Sequence, residues 1–282
     1  MNDMLIDISG KIDKRYIEAV REIKKIAESQ RISFFLVGAS VRDYILEIFY
    51  NIKAPRRTYD VDFGMEVKTW AHFDALIHAL VISGKFKKDY ENQRVIFNND
   101  ICIDIVPFGA IAGGESKLRW PRNHDMIMNV LGFNEAYACS TLVRLSADPV
   151  LEIRMATLPG LSVLKLLSWK EKYPERKKDA EDILFIMMHY EHAGIFDRLY
   201  NSEIQLLTRE NFDTRTAGIY LLGKDMAKMC TQKTLDFIKN ILQEETDDTS
   251  KFNLVLQMMG RNDDFDDVLV LLKKLKLGVF KG

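Results

Sequence analysis

Cysteine and long apolar runs are scarce in this sequence of 282 residues. The three cysteines are scattered and form no C-x-x-C pair, which argues against a disulfide framework or a structural zinc site and fits a reducing compartment. No run of about 18 uninterrupted apolar residues occurs, so a transmembrane helix is not expected. The first residues lack the apolar segment of a signal peptide. We therefore expect a cytoplasmic protein with no membrane partner.

An excess of either charge is also missing. The chain has 40 Lys and Arg against 41 Asp and Glu, which gives a net charge of -1. This balance excludes a strongly basic coat protein and a long acidic disordered chain. At 47% hydrophobic and 29% charged residues, the composition is that of a globular protein with a substantial core. A local basic patch remains compatible with nucleic-acid binding.

The first 110 residues mix helical and strand patterns. In residues 13–30, apolar side chains recur on one face of a helix. Residues 101–108 predict a strand that pairs with 93–97 through a hairpin turn at Asn98, Asn99 and Asp100. Further strands are predicted at 32–37 and, after a loop, within 55–67, and further helices at 40–50 and 69–83.

The second half of the chain becomes helical. Strands are predicted at 141–146 and 150–155, and Leu158-Pro159-Gly160 reads as a break. Helices are then predicted at 160–172, 175–191, 196–207, 213–229, 231–243, 250–259 and 264–275. The pattern indicates an α+β fold, with a small mixed β-sheet and flanking helices followed by an all-α C-terminal bundle. Gly194 suggests domains 1–193 and 194–282, and a boundary near residue 160 is the alternative.

Three aspartates are the first candidates for chemistry. Because side chains alternate along a strand, Asp60 and Asp62 should point the same way while Val61 points into the core. Asp104 interrupts an almost wholly apolar strand, where a charge is costly unless it is paired or binds a metal. Three converging carboxylates could hold two Mg²⁺ or Mn²⁺ ions that clamp a phosphate. The alternatives are solvated acids at a loop–strand junction and, for Asp104, an ion pair at the strand edge with an Arg or Lys, for example Arg94.

A glycine–serine turn precedes these acids. Gly38 ends a predicted strand, and the helix that begins next contains Ser40. Glycine lets the backbone approach a ligand closely, and the N–H groups at a helix start, with the serine hydroxyl, can hold a phosphate. The alternative is a helix cap by Ser40, with Arg42 and Asp43 as a solvated first turn.

This order of motifs resembles the nucleotidyltransferase superfamily, which has the fold of DNA polymerase beta. Residues 36–43, Leu-Val-Gly-Ala-Ser-Val-Arg-Asp, are similar to the head-domain motif of tRNA CCA-adding enzymes and poly(A) polymerases. They differ in having Ala39-Ser40 where a second glycine is usual. The resemblance implies that Asp60, Asp62 and Asp104 bind metal, and that Gly38, Ser40 and Arg42 bind the nucleotide.

Residues 161–190 resemble one branch, the AbiEii/MenT-like nucleotidyltransferases, which are often toxins of bacterial toxin–antitoxin pairs. That branch has a lysine on a helix, a basic stretch and a D-x-x-D element. Lys165 or Lys170 fits the lysine, residues 176–178 fit the basic stretch, and Asp179 with Asp182 fits the acidic element. The resemblance assigns Lys165 a catalytic role, and it assigns Lys170 and Asp182 to nucleotide binding.

The residues of this segment support part of that interpretation. Six basic and two acidic residues between Lys165 and Lys178 give a local charge of +4, which suits a triphosphate or a nucleic-acid backbone. Lys165 itself lies in a nearly all-apolar helix and needs an anionic partner, for which a nucleotide phosphate is one candidate. The alternatives are a solvated helix end for the basic run and a snorkelling side chain for Lys165.

Together, these features predict a metal-dependent nucleotidyltransferase that moves a nucleoside monophosphate from an NTP to an acceptor hydroxyl. The acceptor would be a tRNA 3′ end or a protein, and the enzyme would be a toxin with an antitoxin partner. One alternative is an enzyme acting on tRNA ends or on an antibiotic. The other is a nucleotide-binding protein of the same fold without catalysis.

Overall fold

The computed structural model describes residues 5–54, 56, 60–90, 93–121 and 123–282. It divides into two compact units, Met1–Thr157 and Leu158–Gly282. The first unit is built around a β-sheet and the second is helical. Among the described residues, none of the helices combines the length and the apolar character that a membrane crossing requires.

A mixed sheet of eight strands forms the centre of the first unit, in the order β1-β9-β10-β2-β3-β6-β5-β4. The pair β3 and β6 runs parallel, while β2 with β3 and β5 with β6 run antiparallel. A separate hairpin consists of β7 and β8. The strands are β1 (Ile6–Asp7), β2 (Ser33–Val37), β3 (Val61–Glu66), β4 (Phe86–Lys88), β5 (Arg94–Phe97), β6 (Ile101–Phe108), β7 (Lys117–Trp120), β8 (Asn123–Asn129), β9 (Thr141–Ala147) and β10 (Val150–Met155).

Helices surround this sheet. The amphipathic helix α1 begins after Asp13, whose carboxylate caps it by accepting from the Arg15 N–H, and it buries Val20, Ile23 and Ala27 as the sequence pattern predicts. A short helix, α2, follows Gly38 and continues directly as a π-helix. The helices of this unit are α1 (Lys14–Ser29), α2 (Ala39–Arg42), the π-helix (Asp43–Phe49), α3 (Trp70–Ile82), a 3-10 turn (Ala110–Ala112) and α4 (Phe133–Ala138).

The second unit contains helices and no strand in the part of the chain described. Its longest helices, α9 and α12, pack closely, because Gly223 and Gly278 meet without side chains between the two backbones. The helices are α5 (Leu158–Glu171), α6 (Lys177–His189), a 3-10 turn (Tyr190–His192), α7 (Phe196–Tyr200), α8 (Ile204–Arg209), α9 (Thr214–Met229), α10 (Gln232–Glu244), α11 (Asn253–Met258) and α12 (Phe265–Lys281).

The predicted fold class is confirmed: a mixed sheet with flanking helices is followed by an all-helical part. The division between units differs from the one placed at residues 193 and 194, and it falls close to the alternative near residue 160. The reason is packing, since α5 and α6 contact α9 and α11 of the later helical region. The predicted break at residues 158–160 is the start of α5, which begins at Leu158. Pro159 lies in the first turn of this helix, where a missing N–H costs no helical hydrogen bond.

Candidate active site

The candidate site is a row of residues that crosses four neighbouring strands. Val37 of β2 is the register partner of Asp62, Asp62 is the partner of Asp104, and Asp104 is the partner of Arg94. Register partners on adjacent strands share a face and lie about 5 Å apart. The sheet therefore places two carboxylates and one guanidinium side by side on one face.

The alternation that underlies this row agrees with the sequence pattern. Val61 is buried while Asp62 is partly exposed and Asp60 is exposed. In β6, Ile103 and Ile105 are buried on either side of the partly exposed Asp104. Strand β6 therefore turns its isoleucines into the core and carries Asp104 on its other face, next to Asp62 of β3.

Gly38 lies directly against Asp62. Its backbone has φ 76° and ψ -168°, a conformation that is essentially restricted to glycine. A Cβ atom at this position would lie 1.9 Å from Asp62 Oδ2, well inside van der Waals contact. The turn between β2 and α2 thus requires glycine at position 38 for two reasons: the backbone angles of the turn and the close approach of the Asp62 carboxylate.

Gly38→Ala should lower the free energy of unfolding by about 2 kcal/mol or more, because strain at a glycine-only backbone conformation alone costs roughly 1–3 kcal/mol. Denaturant unfolding measures the change. Gly84→Ala is the matched control, since Gly84 has φ +75° with nothing within 4 Å of its added Cβ. Equal losses in the two variants would show that the contact with Asp62 contributes nothing.

Ser40 and Arg42 are both buried in the turn. The Ser40 hydroxyl donates to the Val37 carbonyl at 3.3 Å, and Gly38 rather than Ser40 stands at the cap position of α2. Arg42 has a fully buried side chain that donates to the Asp43 carboxylate and, at 2.9 Å, to the Arg56 carbonyl. Arg42 is therefore not part of a solvated first turn: its guanidinium ties α2 to the segment that leads into β3.

The second carboxylate of the row, Asp104, forms an ion pair with Arg94. Arg94 Nε lies 2.8 Å from Oδ1 and Nη2 lies 2.9 Å from Oδ2, so both oxygens accept a charge-assisted hydrogen bond. This is the alternative that the sequence left open for Asp104. The predicted hairpin already indicates this ion pair. If residue 97 pairs with residue 101 next to the turn, antiparallel pairing places residue 94 opposite residue 104.

Asp60 is not gathered with the other two acids into one ligand set. Within the ranges that the structure describes, no group of three or more His, Cys, Asp or Glu side chains is placed to hold a metal ion. Asp62 and Asp104 are register partners on one face of the sheet, and a metal-binding role for the three acids stays a prediction. Asp60 precedes the first residue of β3, so the sheet register does not fix its side chain; residues 55 and 57–59 of the predicted loop lie outside the described residues.

The remaining predicted residues belong to the second unit. Lys165 is only 6% exposed, and its Nζ lies 3.0 Å from Asp179 Oδ1 and 2.6 Å from Asp182 Oδ2. Arg176 Nε lies 2.6 Å from the other oxygen of Asp179. Lys165, Asp179 and Asp182 form a buried group of one positive and two negative charges, which we call the buried ion cluster. Arg176, whose side chain is 46% exposed, pairs with it from the surface. The anionic partner that Lys165 requires is supplied within the chain.

Electrostatics inside the buried ion cluster favours the charged form of Asp179. Burial raises the pKa of the Asp179 carboxyl, but Lys165 and Arg176 together lower it further, so this pKa lies below its ordinary value. Lys170, by contrast, is exposed and pairs with the exposed Glu244. Of the two candidate lysines, Lys165 is locked in a buried network and Lys170 is accessible to solvent.

Comparison with known proteins gives only distant matches. No protein-family model and no curated protein matches the chain. The chain is similar to the solved antibiotic-resistance factor ANT(2'')-Ia, with 11% identity and a TM-score of 0.35 over 71% of this chain and 98% of that one. It is also similar to the Thermotoga maritima CCA-adding enzyme solved with tRNA, with 12% identity and a TM-score of 0.28 over 96% and 82% of the two chains.

Proposed function

We propose that this chain is a nucleotidyltransferase. An acceptor hydroxyl oxygen attacks the α-phosphorus of an NTP, the bond from that phosphorus to the β-phosphate oxygen breaks, and pyrophosphate leaves. The observation that carries the proposal is the close packing of Gly38 on Asp62, with Asp104 beside Asp62 in the same row of the sheet. A turn without a side chain next to paired carboxylates is what the binding of a metal-bound triphosphate requires.

The donor set of this row suits Mg²⁺ or Mn²⁺. Both ions prefer hard oxygen ligands, and Mg²⁺ is commonly held by one or two carboxylates together with substrate phosphate oxygens. Asp62 and Asp104 would supply those carboxylates, with Asp60 as a third ligand once substrate is present. When bound, the ion neutralises phosphate charge and lowers the pKa of the acceptor hydroxyl.

The chain's own groups supply the remaining steps. Gly38 and the N–H groups at the start of α2 would hold the β- and γ-phosphates, because the first N–H groups of a helix have no partner within it. Asp104 accepts the proton of the acceptor hydroxyl. The Ser40 hydroxyl and the Arg42 guanidinium both donate hydrogen bonds to backbone carbonyls around this turn. These two side chains would therefore hold the turn in place rather than contact the phosphates.

We further infer that the chain belongs to the AbiEii/MenT-like branch and acts as a toxin on a tRNA 3′ end or a protein. The support is that Lys165 and both acids of the D-x-x-D element, Asp179 and Asp182, are joined in one buried cluster. By resemblance to this branch, Lys165 would have a catalytic role, and Lys170 and Asp182 would have a role in nucleotide binding. Induced expression in bacteria should arrest growth, and an Asp62→Asn variant should not.

A second candidate function is nucleotide binding without catalysis. The specific observation that favours it is the ion pair between Arg94 and Asp104, which occupies both oxygens of one expected metal ligand. Such a protein would bind an NTP at the Gly38 turn and leave it unchanged.

The test that separates the two is an incubation with each of four α-³²P-labelled NTPs, Mg²⁺ and total tRNA, with and without EDTA. We expect label in the tRNA with at least one NTP, and its loss with EDTA. A parallel reaction with cell extract in place of tRNA detects a protein acceptor. NTP binding with no transfer to either acceptor would support the non-catalytic alternative and contradict the proposed reaction.

A further inference from the structure

Arg94 has no role in the proposed reaction, yet it contacts a proposed metal ligand, Asp104, directly. It begins β5 and lies directly across from Asp104 in the antiparallel β5–β6 pair. The geometry is bidentate, with both contacts between 2.8 and 2.9 Å. The pair is only partly shielded, with 21% of the arginine side chain and 16% of the aspartate side chain exposed.

The two neighbouring carboxylates, Asp62 and Asp104, explain why a cation such as Arg94 is favourable beside them. Asp62 and Asp104 are register partners about 5 Å apart, a spacing at which two carboxylates repel. A guanidinium on the far side of Asp104 lowers this repulsion and fixes the direction in which the carboxylate points. The same contact occupies both oxygens of Asp104, so a divalent ion can bind this carboxylate only if the pair loosens.

We propose that Arg94 is the resident counter-cation of Asp104, and that a divalent metal ion binds the site by displacing it. This inference rests on the proposed function, since it concerns the same two carboxylates. A metal ion on Asp104 and a guanidinium on Asp104 repel each other, so the two occupy the carboxylate in turn. Arg94 is thus a positioning residue that keeps the site ordered without metal and sets how tightly metal binds.

The first test measures Mn²⁺ binding to the full chain from the EPR signal of free Mn²⁺, with no nucleotide present. Arg94→Gln should bind Mn²⁺ about tenfold more tightly than wild type, because the ion no longer competes with a charged, hydrogen-bonded partner of Asp104. Arg94→Lys, which keeps the charge and loses the fork geometry, should lie between the two. Asp104→Asn should lose the binding in either background.

Arg144→Gln is the matched control. Arg144 forms a similar cross-strand pair with Glu152, at 2.7 and 2.9 Å, on β9 and β10 of the same sheet. It contacts none of the predicted site residues in the described structure, so its removal should leave Mn²⁺ affinity unchanged. Equal or weaker Mn²⁺ binding by Arg94→Gln, with wild type binding normally, would overturn the inference. Absence of Mn²⁺ binding by every protein, both without nucleotide and with an α,β-methylene NTP present, would instead overturn the proposed metal-dependent function.

The second test needs no substitution and so does not depend on a variant's folding. In wild type, the Arg94 Nε–H signal can be followed by NMR during titration with diamagnetic Mg²⁺. We expect its exchange with water to increase as the pair opens, while the Arg144 Nε–H signal stays constant. An Arg94 signal that is unchanged at saturating Mg²⁺ would contradict displacement.

Discussion

Asp62→Asn should reduce nucleotide transfer by about 10²–10³-fold or more. Loss of one preorganised group that stabilises transition-state charge typically costs about 3–4 kcal/mol, which corresponds to that factor in rate. Asparagine keeps the shape of the side chain, so the contact with the Gly38 backbone is preserved while the negative charge is lost. The measurement is the rate of label transfer from the NTP that wild type uses.

The stability of the same variant distinguishes a catalytic acid from a structural one. Because Asp62 lies beside Asp104, removing its charge should leave the Tm in metal-free buffer unchanged or raise it. Wild type should gain stability from Mg²⁺ with NTP by mass action, and the variant should gain much less. Asp74→Asn, on the exposed side of α3, is the control and should behave as wild type. An Asp62→Asn variant that melts several degrees lower and still transfers nucleotide would refute the assignment.

Lys165→Met should destabilise the protein by about 3–5 kcal/mol, since removing one partner of a buried ion network leaves uncompensated buried charge. Asp179 and Asp182 are 3% and 1% exposed, so water cannot replace the lost ammonium without opening the helices. Denaturant unfolding followed by circular dichroism measures the change. Lys170→Met is the matched control: its pair with Glu244 is exposed, and such pairs contribute about 0–1 kcal/mol.

Two further variants test the physical basis of this loss. Replacing Lys165, Asp179 and Asp182 together by apolar residues should restore much of the stability, because no charge is then left buried. Acid should act on the wild type in the same direction. The pKa of Asp179 is lowered in the folded state, so its contribution is present above its unfolded pKa and is lost as pH falls through the lower folded pKa. A Lys165→Met variant as stable as Lys170→Met would show that the buried ion cluster contributes nothing to folding.

Measuring nucleotide transfer by Lys165→Met and Lys170→Met tests which of the two lysines takes part in the reaction. If Lys170 binds phosphate, Lys170→Met should lose transfer while keeping its stability. If Lys165 alone has the role that the resemblance implies, Lys170→Met should keep both. The two measurements together therefore separate the accessible lysine from the buried one.

Periodicity alone predicted the elements that hold the site. The apolar face of α1, the β5–β6 hairpin and the burial of Val61 beside an exposed Asp60 all follow from spacing along the chain. These features are local, because the alternation of a strand and the 3.6-residue repeat of a helix are properties of neighbouring residues. The glycine at position 38 was predictable for the same reason, as a strand-to-helix turn.

Tertiary structure alone decided which charges meet. The parallel pairing of β3 with β6 puts Asp62 beside Asp104 across about 40 residues of chain, and the fold of α5 on α6 gives Lys165 its two aspartates. Whether Arg42 is solvated or buried, and whether a domain ends near residue 160 or 194, also depended on packing between distant segments. The sequence shows which ionisable groups are present, but long-range contacts determine which of them become partners. The reason is that the free energy of a charge depends on its surroundings in the fold and not on its position in the chain.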